Sequence, residues 1–412
     1  MTQSRTPQSS SPRYVLALLL AVNLLNYIDR QALYAVFPLI KADLGLSDTS
    51  LGFLGSGFMF CYMLSAPFFG WLANRTGRAT IAASGVAIWS LATVFSGFAA
   101  GYRTLLAART AVGIGEASFG TVSPGLLADF FPKEQRGKII SWFYLAIPVG
   151  SALGYLFGGL IGQKYGWHAA FLMVGIPGLL LAVPVWFMRE PGMSTVGDIA
   201  TTGPVKPDYS SLVRNRSFVI TTLAMAAMTF AIGGLAQWAP SFLNRMHGLD
   251  VGKANTIFGG ITVISGIIGT LAGGALGDRL QKKSRSGYLT VSAWGFVFGA
   301  PLLAWAIFSP SLSGCLIAMF FAETFLFFNT GPLNTVILNV TAPALRAMAF
   351  AVNIFFIHAL GDAISPTLLG WLSDQTNLRT SLLVTPLAVI AAAFFCFLGR
   401  RFIAADTAEV GE

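Results

Sequence analysis

Asp29, Arg30, Arg109 and Glu116 are ionisable residues set inside stretches that are otherwise apolar. A carboxylate screened from water holds its proton more readily, and a nearby guanidinium opposes this. The guanidinium itself stays charged. An arginine that moves between two acids would therefore switch which acid carries the proton. Arg109 and Glu116 are seven residues apart, so on a helix they share a face with a rise of about 10 Å between them. Asp29 is expected at a depth between the two, opposite Gly113, where Arg109 can exchange between Asp29 and Glu116 as protons load and leave. The plainer alternative is a fixed salt-bridge cluster tying the two helices together. Arg30 lies about 100° around the helix from Asp29 and must point elsewhere. It can grip a substrate phosphate or carboxylate bidentately, or pair with an acid on another helix.

The second half of the chain carries a comparable set. Glu323 and Asn329 fall in one apolar stretch, and Asn353, His358 and Asp362 in the next. His358 and Asp362 are four apart, so one helical face holds both. With Asn26, Arg30 and Tyr62, these residues are the expected lining of a central cavity. Polar groups at membrane depth are costly and usually line a water-filled path.

The elements that must position them are membrane helices. Hydrophobic residues make up 55% of the 412 and charged residues 10%, against about 25% charged in soluble domains. The fold class is an all-α membrane protein. Twelve spans are expected, at 14–38, 50–73, 79–100, 103–128, 138–162, 167–188, 217–243, 254–276, 288–308, 312–340, 346–372 and 380–402, each long enough to cross. Residues 1–13 form an N-terminal tail, 14–188 one six-helix bundle, 189–216 a linker rich in Pro and Gly, 217–402 a second bundle, and 403–412 a C-terminal tail. With both termini in the cytoplasm, 18 of the 26 Lys and Arg fall on that side, six fall opposite, and Arg30 and Arg109 are intramembrane. This positive-inside bias places the chain in the cell's inner (plasma) membrane as a multi-pass protein. The net charge of +9 then faces lipid headgroups and requires no nucleic acid. Cys61, Cys315 and Cys396 are scattered among spans and read as small apolar fillers. No phosphate-binding loop, zinc spacing or nucleophile elbow is present, so an enzyme, a metal site and an organic cofactor are not expected. A proton gradient is the expected driving force.

The halves echo each other. Gly70-Trp-Leu-Ala-Asn74-Arg75-Thr-Gly77-Arg78 recurs as Gly274-Ala-Leu-Gly-Asp278-Arg279, offset by 204, and Phe131-Pro-Lys-Glu-Gln-Arg136 matches the segment ending at Arg346, offset by 210. Glu116 and Glu323 correspond at an offset of 207. Nearly constant offsets argue for duplication. The loop Gly70 to Arg78 resembles the signature of the major facilitator superfamily, except that Asn74 stands where that family has Asp. The resemblance implies two pseudo-symmetric six-helix bundles working by alternating access, with a cavity lined by spans 1, 4, 7 and 10 and edged by 2, 5, 8 and 11. It also implies a cytoplasmic gate comprising Gly70, Asn74, Arg75, Gly77, Arg78, Asp129, Arg136, Gly274, Asp278, Arg279 and Arg346.

The runs Asn26-Tyr-Ile-Asp29-Arg30, Arg109 to Glu116, Phe143 to Tyr155 and His358 to Pro366 resemble the Spinster family of lysolipid and sphingolipid transporters, in a bacterial form. That resemblance implies a monomer in the lipid bilayer, with protons and an amphiphilic lipid such as lysophospholipid as its partners. Phe320, Phe321 and the run Phe325 to Phe328 could take an acyl chain, or pack within the protein. A symporter of small organic anions that uses Arg30 and Arg109 is the rival reading. The stripes Gly150, Gly154, Gly158 and Gly269, Gly273, Gly277 are expected to let helices approach closely.

Overall fold

The computed structural model describes residues 10–73, 75–190, 209–342 and 345–411, which contain helices and no strand. The helices of the first half are α1 (Pro12–Ala35), α2 (Phe37–Leu44), α3 (Asp48–Leu72), α4 (Arg78–Ser96), α5 (Tyr102–Asp129), α6 (Lys133–Tyr144), α7 (Ala146–Tyr165) and α8 (Trp167–Trp186). Those of the second half are α9 (Tyr209–Arg214), α10 (Arg216–His247), α11 (Val251–Gln281), α12 (Gly287–Phe308), α13 (Leu312–Leu326), α14 (Pro332–Asn339), α15 (Arg346–Ile357), α16 (Ser365–Gln375), α17 (Leu378–Leu382), α18 (Val384–Gly399) and α19 (Ile403–Gly411).

Among the described residues, ten helices are long and apolar enough to cross a membrane. The two expected spans outside that set are helical as well. They are α1 and α5, with 24 and 28 residues, and they are the helices that carry Asp29, Arg30, Arg109 and Glu116. The expected tenth and eleventh spans are interrupted. A 3₁₀ turn at Phe327–Asn329 precedes Pro332, which has no N–H to continue a helix. A π-turn at His358–Asp362 holds Gly361 at φ −103°, ψ −106°. It falls where the ring of Pro366 would meet the carbonyl of Asp362 in a regular helix.

The chain forms two compact units. One comprises Met1–Leu46, Gly57–Pro204 and Val251–Thr256; the other comprises Ser47–Ser56, Val205–Asp250 and Ile257–Glu412. The start of α3 falls in the second of these units and the start of α11 in the first. In the linker, 191–208 lie outside the described residues, and 209–214 form α9. The expected C-terminal tail carries helix α19. Its Asp406 carboxylate accepts the Ser217 N–H at 2.7 Å, at the start of α10.

Two glycine stripes set the positions that matter for chemistry. A side chain at Gly150, Gly154 or Gly158 of α7 would strike Leu24, Ile28 or Ala32 of α1. Without side chains there, α1 lies directly on α7, and Ile28 and Ala32 pack with Leu153 of α7 and Val174 of α8. In the second unit, Gly269 and Gly273 of α11 meet the backbone at Thr324 and Phe328, which brings α11 onto α13. Phe327 and Phe328 are thus packed against α11, whereas Phe321 is 48% exposed.

Candidate functional site

The first unit holds two buried ion pairs between α1 and α5. Asp29 accepts from Arg109 Nη1 at 2.8 Å, and both residues are at most 1% exposed. The Thr93 hydroxyl of α4 donates to the other Asp29 oxygen. The guanidinium of Arg109 also lies over the Phe171 ring of α8, 5.6 Å from its centroid. One residue further along α1, Arg30 Nε donates to Glu116 Oε2 at 2.6 Å. The Arg30 guanidinium is surrounded by the rings of Tyr27, Phe58 and Tyr62, at 5.1, 5.1 and 4.9 Å. Ring faces attract a desolvated cation, so this cage compensates part of the burial that the carboxylate alone would have to offset.

This arrangement corrects the expected geometry. Arg109 does not sit between the two acids; each acid has its own guanidinium. The seven-residue step along α5 is too long for one side chain to bridge, and Arg30 occupies the far end. Gly113 faces α3 instead of Asp29, because a side chain there would strike the backbone at Phe58 and Tyr62. That close approach is what carries Phe58 and Tyr62 to Arg30. Of the two roles open to Arg30, this structure displays pairing with an acid on another helix. Arg109 Nε, Glu116 Oε1 and Asn26 Nδ2 are buried and have no hydrogen-bond partner among the described residues. The centre therefore holds one unused donor on Arg109 and one unused acceptor on Glu116.

In the second unit, Glu323 on α13 is 3% exposed. It accepts from Ser265 Oγ at 3.0 Å and from Thr262 Oγ1 at 3.4 Å. His358 Nδ1 and Asp362 Oδ1 are 2.9 Å apart within the π-turn, and both side chains are partly exposed. Asn329 donates to the Leu326 carbonyl. Asn353 reaches only the sulfur of Met225, at 3.7 Å.

The expected gate residues divide among separate contacts. Arg78 Nη1 pairs with Asp129 Oδ2 at 2.6 Å, and the Arg75 guanidinium lies over Trp71, 4.1 Å from the ring centroid. Asn74 lies outside the described residues. Gly77 caps α4 without a side chain, and a carboxylate reaches this loop from Glu190, which accepts the Ala79 N–H at 2.8 Å. Arg136 Nε donates to the Phe131 carbonyl at 3.1 Å, and Arg346 Nε to the Thr341 carbonyl at 3.4 Å. Both reach back five residues at the same offset of 210, so the repeat extends to its hydrogen bonds. Asp278 accepts from the Tyr288 hydroxyl at 2.9 Å. Gly70 lies in α3 and Gly274 in α11, and Arg279 is exposed.

The family model of the Major Facilitator Superfamily matches residues 19–366. Human protein spinster homolog 1 is 37% identical over 386 residues, covering 88% of this chain and 73% of that protein. The chain belongs to the Spinster family of the Major Facilitator Superfamily. The mouse sphingosine-1-phosphate transporter SPNS2 is 31% identical over 431 residues, covering 96% of this chain and 78% of that one. A bacterial homologue of the human lysosomal transporter Spinster, solved inward-facing and unoccupied, shares the fold at a TM-score of 0.87. Its identity is 24%, with 97% of this chain and 99% of that chain covered. A D-xylose-proton symporter shares it at 0.76 and 20% identity, covering 94% of this chain and 98% of that chain. This Spinster protein is accordingly a multi-pass membrane transporter and not an enzyme.

Sequence reasoning missed Thr93, Tyr27 and Phe58 around the ion pairs, and Thr262 and Ser265 at Glu323. Thr262 and Ser265 are three apart in an apolar run, a spacing that marks one polar face. Phe58 carried no signal, since phenylalanine is common throughout this chain.

Proposed function

We propose that this Spinster protein is a proton-coupled carrier of lysophospholipid or a related amphiphilic lipid, working by alternating access as a monomer. It lies in the inner membrane with both termini cytoplasmic, the orientation favoured by the distribution of Lys and Arg. The observation that carries the coupling is the pair of buried acid–arginine contacts shared by α1 and α5, beside the unused Arg109 Nε and Glu116 Oε1. Protonation of Asp29 removes the charge that holds Arg109, which frees α1 to shift against α5 and the two ion pairs to rearrange. Asp29, Arg109 and Glu116 are assigned to coupling. Asn26, Arg30, Tyr62, Glu323, Asn329, Asn353, His358 and Asp362 are assigned to the cavity, and the two copies of the Gly70–Arg78 loop to the cytoplasmic gate.

The substrate class rests on relationship to Spinster proteins, including a sphingosine-1-phosphate transporter. The small-anion alternative has less support, because both guanidinium groups it requires already face carboxylates. Reconstitution into proteoliposomes decides between them. Saturable movement of lysophospholipid that responds to an imposed pH gradient is expected. Uptake of small carboxylates without lipid movement would defeat this reading.

A further inference from the structure

Glu116 and Glu323 occupy equivalent places in the two halves, and their surroundings differ in kind. Glu116 has a guanidinium at 2.6 Å. Glu323 is also deeply buried, yet its hydrogen-bond partners among the described residues are two hydroxyls. Among the described residues, the helices packed on it bring no titratable group to it. Helix α11 presents Thr262 and Ser265, and α12 meets this stretch of α13 through Gly295 and Gly299. Among the described residues, no cation lies within ion-pair distance of Glu323. A buried carboxylate without a counter-charge is strongly disfavoured in its ionised form and takes up a proton instead.

We propose that Glu323 is a second residue, beside Asp29, on which this transporter carries a proton, a role that rests on the proton-coupled reading above. The pocket suits both forms of the acid. When Glu323 is ionised, the Ser265 and Thr262 hydroxyls donate to it. When it is protonated, its own O–H needs an acceptor, and Ser265 can provide one. The Ser265 hydroxyl has a second acceptor in the Thr262 carbonyl at 3.3 Å. It can turn its proton there and receive the one from Glu323. Loading and release then require two hydroxyl rotations and no broken ion pair. Glu116 has no such freedom, because protonating it would strand the Arg30 charge inside the aromatic cage.

Infrared difference spectroscopy on the full-length protein in lipid, between acid and alkaline pH, reads this directly. The wild type should lose a protonated-carboxyl C=O band on going alkaline. Glu323→Gln should lack the part of that band that Asp29→Asn keeps. Ser265→Ala should shift the band to higher frequency, because the carboxyl O–H loses its acceptor; this variant serves if Glu323→Gln does not fold. In proteoliposomes, Glu323→Gln should lose its response to a pH gradient. A band unchanged in Glu323→Gln, or gradient-driven accumulation by that variant, overturns the proposal. A wild type whose transport ignores the pH gradient would defeat the coupling reading itself. The band would then still show whether Glu323 holds a proton, so the two failures are distinguishable.

Discussion

Arg30 and Glu116 form a 2.6 Å ion pair between α1 and α5, with the arginine enclosed by three aromatic rings and the acid fully buried. Removing one partner of such a pair leaves the other charged and unpaired in a dry site, at a cost of about 3–5 kcal/mol. Glu116→Ala should therefore lower the melting temperature in detergent markedly. Replacing both residues, as Arg30→Met with Glu116→Leu, should recover most of that stability and leave transport lost. Flux that returns together with stability would show the pair to be structural alone.

The Asp29–Arg109 pair makes a different prediction. Asn at position 29 keeps an oxygen to accept from Arg109, and its NH2 can donate to the Thr93 hydroxyl, so Asp29→Asn should fold and reach the membrane. It cannot change charge with pH. Uptake driven by an inward proton gradient should disappear, while exchange at equal pH on both sides persists. Measuring both modes on the same proteoliposome preparation checks this, and retained gradient-driven uptake would remove Asp29 from the coupling path.

The helices and the charged centre were legible in the sequence because apolar runs, duplicated loops and misplaced charges are local signals. Pairing of the charges was not. Helical spacing put Arg109 and Glu116 on one face, and both do line the centre. Which arginine serves which acid depends on how closely α3 approaches at Gly113 and on how α1 is turned about its axis. The latter is set by α7 through Gly150, Gly154 and Gly158. The breaks at Phe327–Asn329 and His358–Asp362 were similarly hidden inside hydropathic runs, although Pro332 and Pro366 marked where they fall.

Gly154 gives the test of that positioning. Its missing side chain lets α7 rest on Ile28 of α1, next to Asp29. Gly154→Val forces helices apart where the opposing atoms are backbone and cannot swing aside. Overpacking of this kind costs about 1–3 kcal/mol, sometimes more. The variant should lose thermal stability and transport together, although it alters no charge. Normal flux from a well-expressed Gly154→Val would show that the charged centre does not depend on this contact.

Two arginine–carboxylate pairs away from the charged centre test whether geometry or charge alone matters. In the second unit, Arg245 holds Asp48 through two bonds, Nη1 at 2.7 Å and Nη2 at 2.9 Å. Ser373 adds a third bond to Asp48 at 2.6 Å, and Asp374 accepts the N–H groups of Asp48 and Thr49. In the first unit, Arg78 meets Asp129 through one bond, with both side chains more than a third exposed. An exposed pair contributes about 0.2–1 kcal/mol, and lysine can supply its single charge. The forked contact with buried Asp48 cannot be reproduced by lysine, and losing charge-assisted bonds there costs about 1.5–3 kcal/mol. Arg245→Lys should therefore lower the melting temperature clearly more than Arg78→Lys. Equal shifts in parallel thermal denaturation would mean that the forked geometry at Asp48 contributes nothing beyond its charge.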